Sequence, residues 1–183
     1  MPRNGHEARR RLQQSALELV QARGYDAVTT AEIAARAGVT ERTFFRHFAD
    51  KREILFEEDP RLRPALTVAV AEAPATLAPL QIMLQAFRSL EPMLEENRAF
   101  TEPRLAIVAA TPALLERADA KAASLTALLA DALERRGGEA KLARLAARVG
   151  MAASSHAASA WREDPSLSLE THLTLAFQTL RAL

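Results

Sequence analysis

Residues 29–56 read TTAEIAARAGVTERTFFRHFADKREILF, and three helix starts are written into that stretch. Thr29 and Glu32 stand in capping-box relation just before Ile33, Ala34 and Ala37, so a short helix starts at Thr30 and stops at Gly38. Thr40 is a second N-cap, followed by Glu41 to Phe48, barely two turns with Phe44 and Phe48 on one face. Asp50 and Glu53 form a further box that opens another helix. Upstream, Leu12, Ala16, Leu19 and Val20 line one side of a helix from about residue 7 to 23, and Gly24 supplies its left-handed C-terminal cap. Two short helices joined by a tight turn containing glycine make a helix-turn-helix, whose second helix can enter the major groove of DNA with its N-terminal residues on base edges.

The side chains suit that task. Arg42 and Arg46 can each offer a fork to O6 and N7 of guanine, Glu41 can accept from the cytosine amino group, and Thr43 can meet a phosphate or a thymine methyl. Thr30, Thr40, His47 and Lys51 cluster at or beside helix starts, where free amides and the helix dipole attract phosphate. The plainer alternative is a three-helix core whose basic residues form a solvated face; Phe44 and Phe48 are core in either case.

From Ala16 to Phe56 the chain, ALELVQARGYDAVTTAEIAARAGVTERTFFRHFADKREILF, resembles the N-terminal domain of the TetR family of transcriptional regulators. The Gly-Tyr after the first helix, the capped Ile-Ala, the Ala-Gly-Val-Thr turn, the Thr-Phe-Phe-x-His-Phe block and the following Lys keep the family spacing. The resemblance implies base reading by Glu41, Arg42 and Arg46, and phosphate contacts by Thr30, Thr43, His47 and Lys51. Two positions depart from it. Phe45 stands where family members usually carry Tyr, so a hydroxyl is missing from the DNA-facing set, and Ala31 offers only a methyl where some members read a base.

Charge is distributed accordingly. The 183 residues carry a net charge of +1, yet residues 1–52 hold ten basic side chains against six acidic ones, and the remainder 14 against 17. A basic head therefore precedes a mildly acidic body. The whole chain contains 39 Ala and 26 Leu against 7 Val and 4 Ile, which makes an all-α fold the default. With no cysteine, disulfides, thiolate metal sites and cysteine nucleophiles are excluded. Met1 to Arg11 carries four arginines without an apolar signal core, and no apolar run is long enough to span a bilayer, so a cytoplasmic protein is expected.

After residue 52, Pro60, Pro64, Pro74 and Pro79 cut a connecting region into short pieces. A fifth helix then carries Leu80, Leu84, Phe87, Leu90 and Leu94, with a kink at Pro92, and a short sixth runs from Arg98 to Ala110. A seventh opens at Pro112 and ends at Gly137-Gly138; an eighth ends near Trp161, and a ninth contains Leu169, Leu173, Phe177 and Leu180. The expected organisation is an all-α chain of about nine helices: a helix-turn-helix domain at 1–52 and a helical ligand-binding and dimerisation domain at 53–183. The eighth helix bears a stripe of small residues, Ala146, Gly150, Ala153, Ser154 and Ala157, that admits close approach by another helix, within the chain or across a dimer. Reading a palindrome needs two recognition helices about 34 Å apart, and the resemblance implies pairing of the last two helices, so residues 139–182 are the expected homodimer surface.

The resemblance also implies a small-molecule pocket in the second domain. Met83, Phe87, Met93, Phe100, Met151 and Trp161 are the large apolar candidates, with His156 or Glu91 to orient a polar group, although such residues also serve as ordinary core. The stretch Asn97 to Leu115 is similar to C-terminal domains of actinobacterial regulators, which implies a lipophilic effector. No metal pair, phosphate loop or nucleophile arrangement is present, so neither a cofactor nor enzymatic activity is expected. The expectation is a ligand-released repressor that binds a palindromic operator on double-stranded DNA as a homodimer. The alternative is a helical protein-interaction module that has lost DNA binding.

Overall fold

The computed structural model describes residues 3–56 and 59–182, with side chains from Glu7 onward. Met1, Pro2 and Leu183, the outer ends of the two expected domains, lie outside the described residues, as do Glu57 and Glu58. The described residues form eleven helices and no strand: α1 (Arg3–Arg23), α2 (Thr30–Arg36), α3 (Glu41–His47), α4 (Glu53–Phe56), α5 (Leu62–Glu72), α6 (Pro79–Arg88), α7 (Glu91–Glu96), α8 (Arg98–Ala110), α9 (Pro112–Arg135), α10 (Ala140–Glu163) and α11 (Leu169–Ala182). None is long and apolar enough to cross a membrane.

Two of these exceed the count expected from periodicity, and proline explains both. Pro64 is the third residue of α5, within the first turn, where a missing amide leaves no hydrogen bond unmade, so α5 forms through it and buries Leu66 and Val70. Pro92 does not kink a single helix. Its ring would meet the carbonyl of Arg88, so α6 stops at Arg88 and α7 begins afresh with Pro92 in its first turn.

The chain packs into two compact units. The first contains residues up to Glu58 together with Asn97–Asp119; the second contains Asp59–Glu96 and Ala120 onward. A cut between residues 52 and 53 would part α4 from its own core, since Ile54, Leu55 and Phe56 are buried with Leu12, Ala16 and Val20 of α1, Ile33 of α2, and Phe44 and Phe48. Val108 of α8 and Leu114 of α9 complete that core. Arg117 binds it further, its guanidinium lying 3.6 Å from Asp50 and paired with Glu53 at the start of α4.

Local signals set the ends of the short helices. Thr29 Oγ1 accepts from the Glu32 amide at 3.2 Å, while Glu32 Oε2 accepts from the Thr29 amide at 2.8 Å. Thr40 Oγ1 accepts from the Thr43 amide at 3.2 Å, and Asp50 Oδ1 from the Glu53 amide at 2.7 Å. Each such cap is worth about 1 kcal/mol. Between α2 and α3 the backbone reverses through Gly38 at φ +69°, a left-handed conformation that costs other residues about 1–2 kcal/mol.

In the second unit, α6, α10 and α11 pack on one another around Met83, Phe87, Trp161, Leu173 and Phe177, with Leu129 and Leu133 of α9. The small residues of α10 are consumed here. Ala146, Gly150, Ser154 and Ala157 are buried within the chain, and a Cβ on Gly150 would lie 2.9 to 3.0 Å from Cε, Cβ and Cγ of Met83. That face thus serves close packing against α6, while a stripe of α10 flanking it stays bare: Leu142 is 46% and Leu145 59% exposed.

Two predictions follow from this packing and capping. Gly150→Ala should destabilise by about 1–3 kcal/mol through overpacking, and Met83→Ala by about 2–5 kcal/mol. Combined in urea unfolding, the two should cost clearly less than their sum, because the shortened side chain admits the new methyl; strict additivity would refute the contact. The second concerns Glu32, whose carboxyl is held down from its usual 4.5 to about 2, first by the Thr29 amide and then by Arg23. Since the folded value is the lower, its contribution is complete above pH 4.5 and is lost as pH falls toward 2. The melting-temperature advantage of the parent chain over Glu32→Gln should shrink across that window; parallel pH curves would exclude it.

Candidate nucleic-acid interface

A seven-residue helix cannot stand alone, and α3 is fixed by what its inner face buries. Phe44 is fully buried and Phe48 nearly so, their ring centroids 5.7 Å apart. From α1, the Arg9 guanidinium lies 4.6 Å from the centroid of the Phe48 ring, and Arg9 Nη1 donates to the His47 carbonyl at 3.1 Å. This clamp ties α1 to the C-terminal end of α3. Sequence gave no hint of it, because the partners are 38 positions apart and neither carries a local signal.

With that face anchored, the helical repeat turns Glu41, Arg42, Phe45 and Arg46 outward, and all four are exposed. Phe45 is 52% exposed, its ring set edge-on to Phe44 at 5.3 Å. An apolar ring held out into water beside two guanidinium groups offers a surface for a thymine methyl, where tyrosine would have offered a hydroxyl to phosphate. Thr43 and His47 are half-buried at its flank, and Thr40 is exposed at its start, its hydroxyl 3.0 Å from that of Thr43.

Thr30, half-buried at the start of α2, donates from its hydroxyl to Glu41 Oε1 at 2.5 Å, so the first residues of α2 and α3 are directly linked. Ala31 beside it is exposed. Lys51 is placed differently from a free phosphate ligand. Its ammonium donates to the carbonyls of Tyr25 at 2.8 Å and Val28 at 2.9 Å and lies 4.0 Å from the centroid of the Tyr25 ring. It closes the loop between α1 and α2, keeping one of its three protons for another acceptor. The Tyr25 hydroxyl is raised above its ordinary value, chiefly by burial.

Beside these elements, Arg36 pairs with Glu18 at 2.6 Å, and Glu18, also bonded to Gln14, is held below the usual carboxylate range, first by Gln14 and then by Arg36. An open cleft of about 430 Å³ is lined by Arg11, Gln14, Ser15, Glu18, Arg36 and Ala37.

Of the large apolar residues expected to bind a small molecule, five are brought into one cluster and Phe100 is not. Met83, Phe87 and Trp161 are packed core of the second unit, and Met93 and Met151 border that core. Phe100 belongs to the first unit. His156 is exposed, on the same bare face of α10 as Leu142, Leu145 and Ala152, and Glu91 accepts from the Glu170 amide at 3.2 Å. A cleft of about 490 Å³ in the second unit is lined by Ala123, Thr126, Ala127, Ala130, Asp131, Glu134, Arg144 and Arg148, none of them an expected ligand residue. Helical periodicity ranks residues about one axis and does not say which neighbour that side meets.

Residues 13–57, which contain every side chain of the outward α3 face, match the family described as bacterial regulatory proteins, tetR family. The HTH-type transcriptional regulator TcmR of Streptomyces glaucescens is 42% identical over 82 residues, covering 45% of this chain and 36% of that relative. The matched part thus spans little more than a third of TcmR. Among solved structures, SmeT in complex with triclosan has a TM-score of 0.63 at 22% identity, covering 96% of this chain and 90% of SmeT. NalD of Pseudomonas aeruginosa, described as the secondary repressor of the MexAB-OprM multidrug efflux pump, gives 0.63 at 20% identity over 96% of each chain. FadR of Thermus thermophilus, a TetR-family transcriptional repressor in complex with lauroyl-CoA, gives 0.59 at 24% identity, covering 94% of this chain and 92% of FadR. At such identities these structures show a common fold, and residues 13–57 carry a domain that matches the tetR family of bacterial regulatory proteins.

Proposed function

We propose that the chain is a transcriptional repressor that binds a palindromic operator as a homodimer and is released by a small lipophilic effector. The observation that carries the reading is the division of α3 into a buried face of Phe44 and an outward face of Glu41, Arg42, Phe45 and Arg46. In the major groove, Arg42 and Arg46 take guanine edges and Phe45 a thymine methyl. Thr40, Thr43, His47 and the remaining proton of Lys51 take phosphates, fixing the register of α3 in the groove.

The dimer surface in this reading is the bare side of α10 and α11. Leu142, Leu145, Val149, Ala152 and His156 follow one another along one stripe of α10, and Leu175 on α11 is 50% exposed. Exposed leucines in such numbers favour burial against a second copy. The effector belongs to the second unit: FadR and SmeT, of the same fold, are bound to lauroyl-CoA and to triclosan, both rich in apolar surface. With Met83 seated on Gly150, an effector entering between α6 and α10 has to displace that side chain, and it favours the DNA-free state by its difference in affinity for the two arrangements.

Selection of duplexes from a random library by the purified chain is the direct test. An inverted repeat is expected, and Arg42→Ala should lose about 1–3 kcal/mol of preference at one base pair per half-site while other positions keep theirs. No enrichment at low salt would sink the repressor reading and favour a protein-interaction module. Leu145→Glu should convert the dimer to a folded monomer in light scattering and weaken operator binding; an unchanged dimer would move the interface elsewhere.

A further inference from the structure

We propose that Thr30 is a positioning residue for base recognition: its hydroxyl holds the Glu41 carboxylate so that the other carboxylate oxygen meets the amino group of one cytosine in each half-site. The inference rests on the DNA-binding reading above and departs from the phosphate contact that the family resemblance assigns to Thr30. Its basis is the 2.5 Å hydrogen bond from Thr30 Oγ1 to Glu41 Oε1, which crosses the turn of the helix-turn-helix between residues eleven positions apart.

Proton counting decides between the two roles. A threonine hydroxyl has one proton, and phosphate oxygens only accept. While Thr30 donates to Glu41 it has nothing to donate to phosphate. A hydrogen bond to an ionised carboxylate is about twice as strong as a neutral one, so the proton is well placed where it is. Glutamate without such an anchor is a poor reader. It carries three side-chain torsions whose ordering costs binding energy, and nearby phosphates repel its charge. Held by Thr30 at one oxygen, the exposed carboxylate keeps Oε2 as an acceptor without first having to be ordered.

The base preference follows from the edges of the major groove. Guanine presents two acceptors and thymine an acceptor and a methyl, so a fixed carboxylate is repelled by both. Adenine sets an acceptor beside its donor, whereas cytosine presents the donor alone. Cytosine is therefore selected, with guanine and thymine rejected most strongly.

The test is duplex selection by the full chain and by Thr30→Val, Thr30→Ser and Glu41→Ala, followed by affinity measurements on the selected operator and on operators altered at single positions. The parent chain should select cytosine at one position per half-site. Glu41→Ala and Thr30→Val should both lower that preference at the same position by about five- to tenfold; Thr30→Ser should keep it, and Thr30→Val should leave the preferences at other positions as in the parent. The inference is overturned if Thr30→Val weakens all sequences alike and leaves the cytosine preference intact, the signature of a lost phosphate contact. It is overturned equally if Glu41→Ala leaves the selected sequence unchanged. A parent chain that enriches no duplex removes the DNA-binding reading itself, an outcome separate from both.

Discussion

The burial of Phe44 and Phe48 is the contact on which the interface depends. Seven residues supply too few hydrogen bonds to offset the cost of starting a helix, so α3 exists because its inner face is immersed in the core of the first unit. That core is assembled from three short helices, α2, α3 and α4, together with α1 and residues of α8 and α9 that lie far along the chain. Once the two rings are fixed, the rotation of α3 about its axis is fixed as well. Which four side chains face outward is then a matter of helical geometry, not of any property of those side chains.

Around that anchor, polar groups hold the rest of the motif in register. Arg9 grips the end of α3 through the Phe48 ring and the His47 carbonyl, Lys51 draws the α1–α2 loop together through two carbonyls, and Thr30 joins the start of α2 to the start of α3. Several residues that look from sequence like free ligands for phosphate are thus already engaged with the protein. This pre-ordering lowers the entropy cost of docking. It also means that a substitution at Lys51 or Arg9 acts on the shape of the interface as well as on its charge.

Much of this was legible in the sequence because the signals are local. The caps at Thr29, Thr40 and Asp50 each need only a partner three residues away, and all three form. The bounds of α8 and the start of α9 at Pro112 were equally plain. What sequence obscured depends on position or on distance. Pro64 reads as a breaker until it is known to occupy a first turn, and the small residues of α10 serve a neighbour helix or a second subunit equally well. The structure gives them to Met83 and leaves leucines outside. Phe100 and His156 were grouped with Met83 by chemistry, yet Phe100 belongs to the other unit and His156 faces solvent.

The central claim is that the outward face of α3 reads bases from the major groove, and methylation interference tests it most directly. Methyl groups on guanine N7 obstruct the major groove, whereas those on adenine N3 obstruct the minor groove. The account predicts loss of binding from N7 methylation at guanines in two clusters about one helical turn, or a whole number of turns, apart. Interference confined to adenine N3, or absent at every guanine, would contradict it.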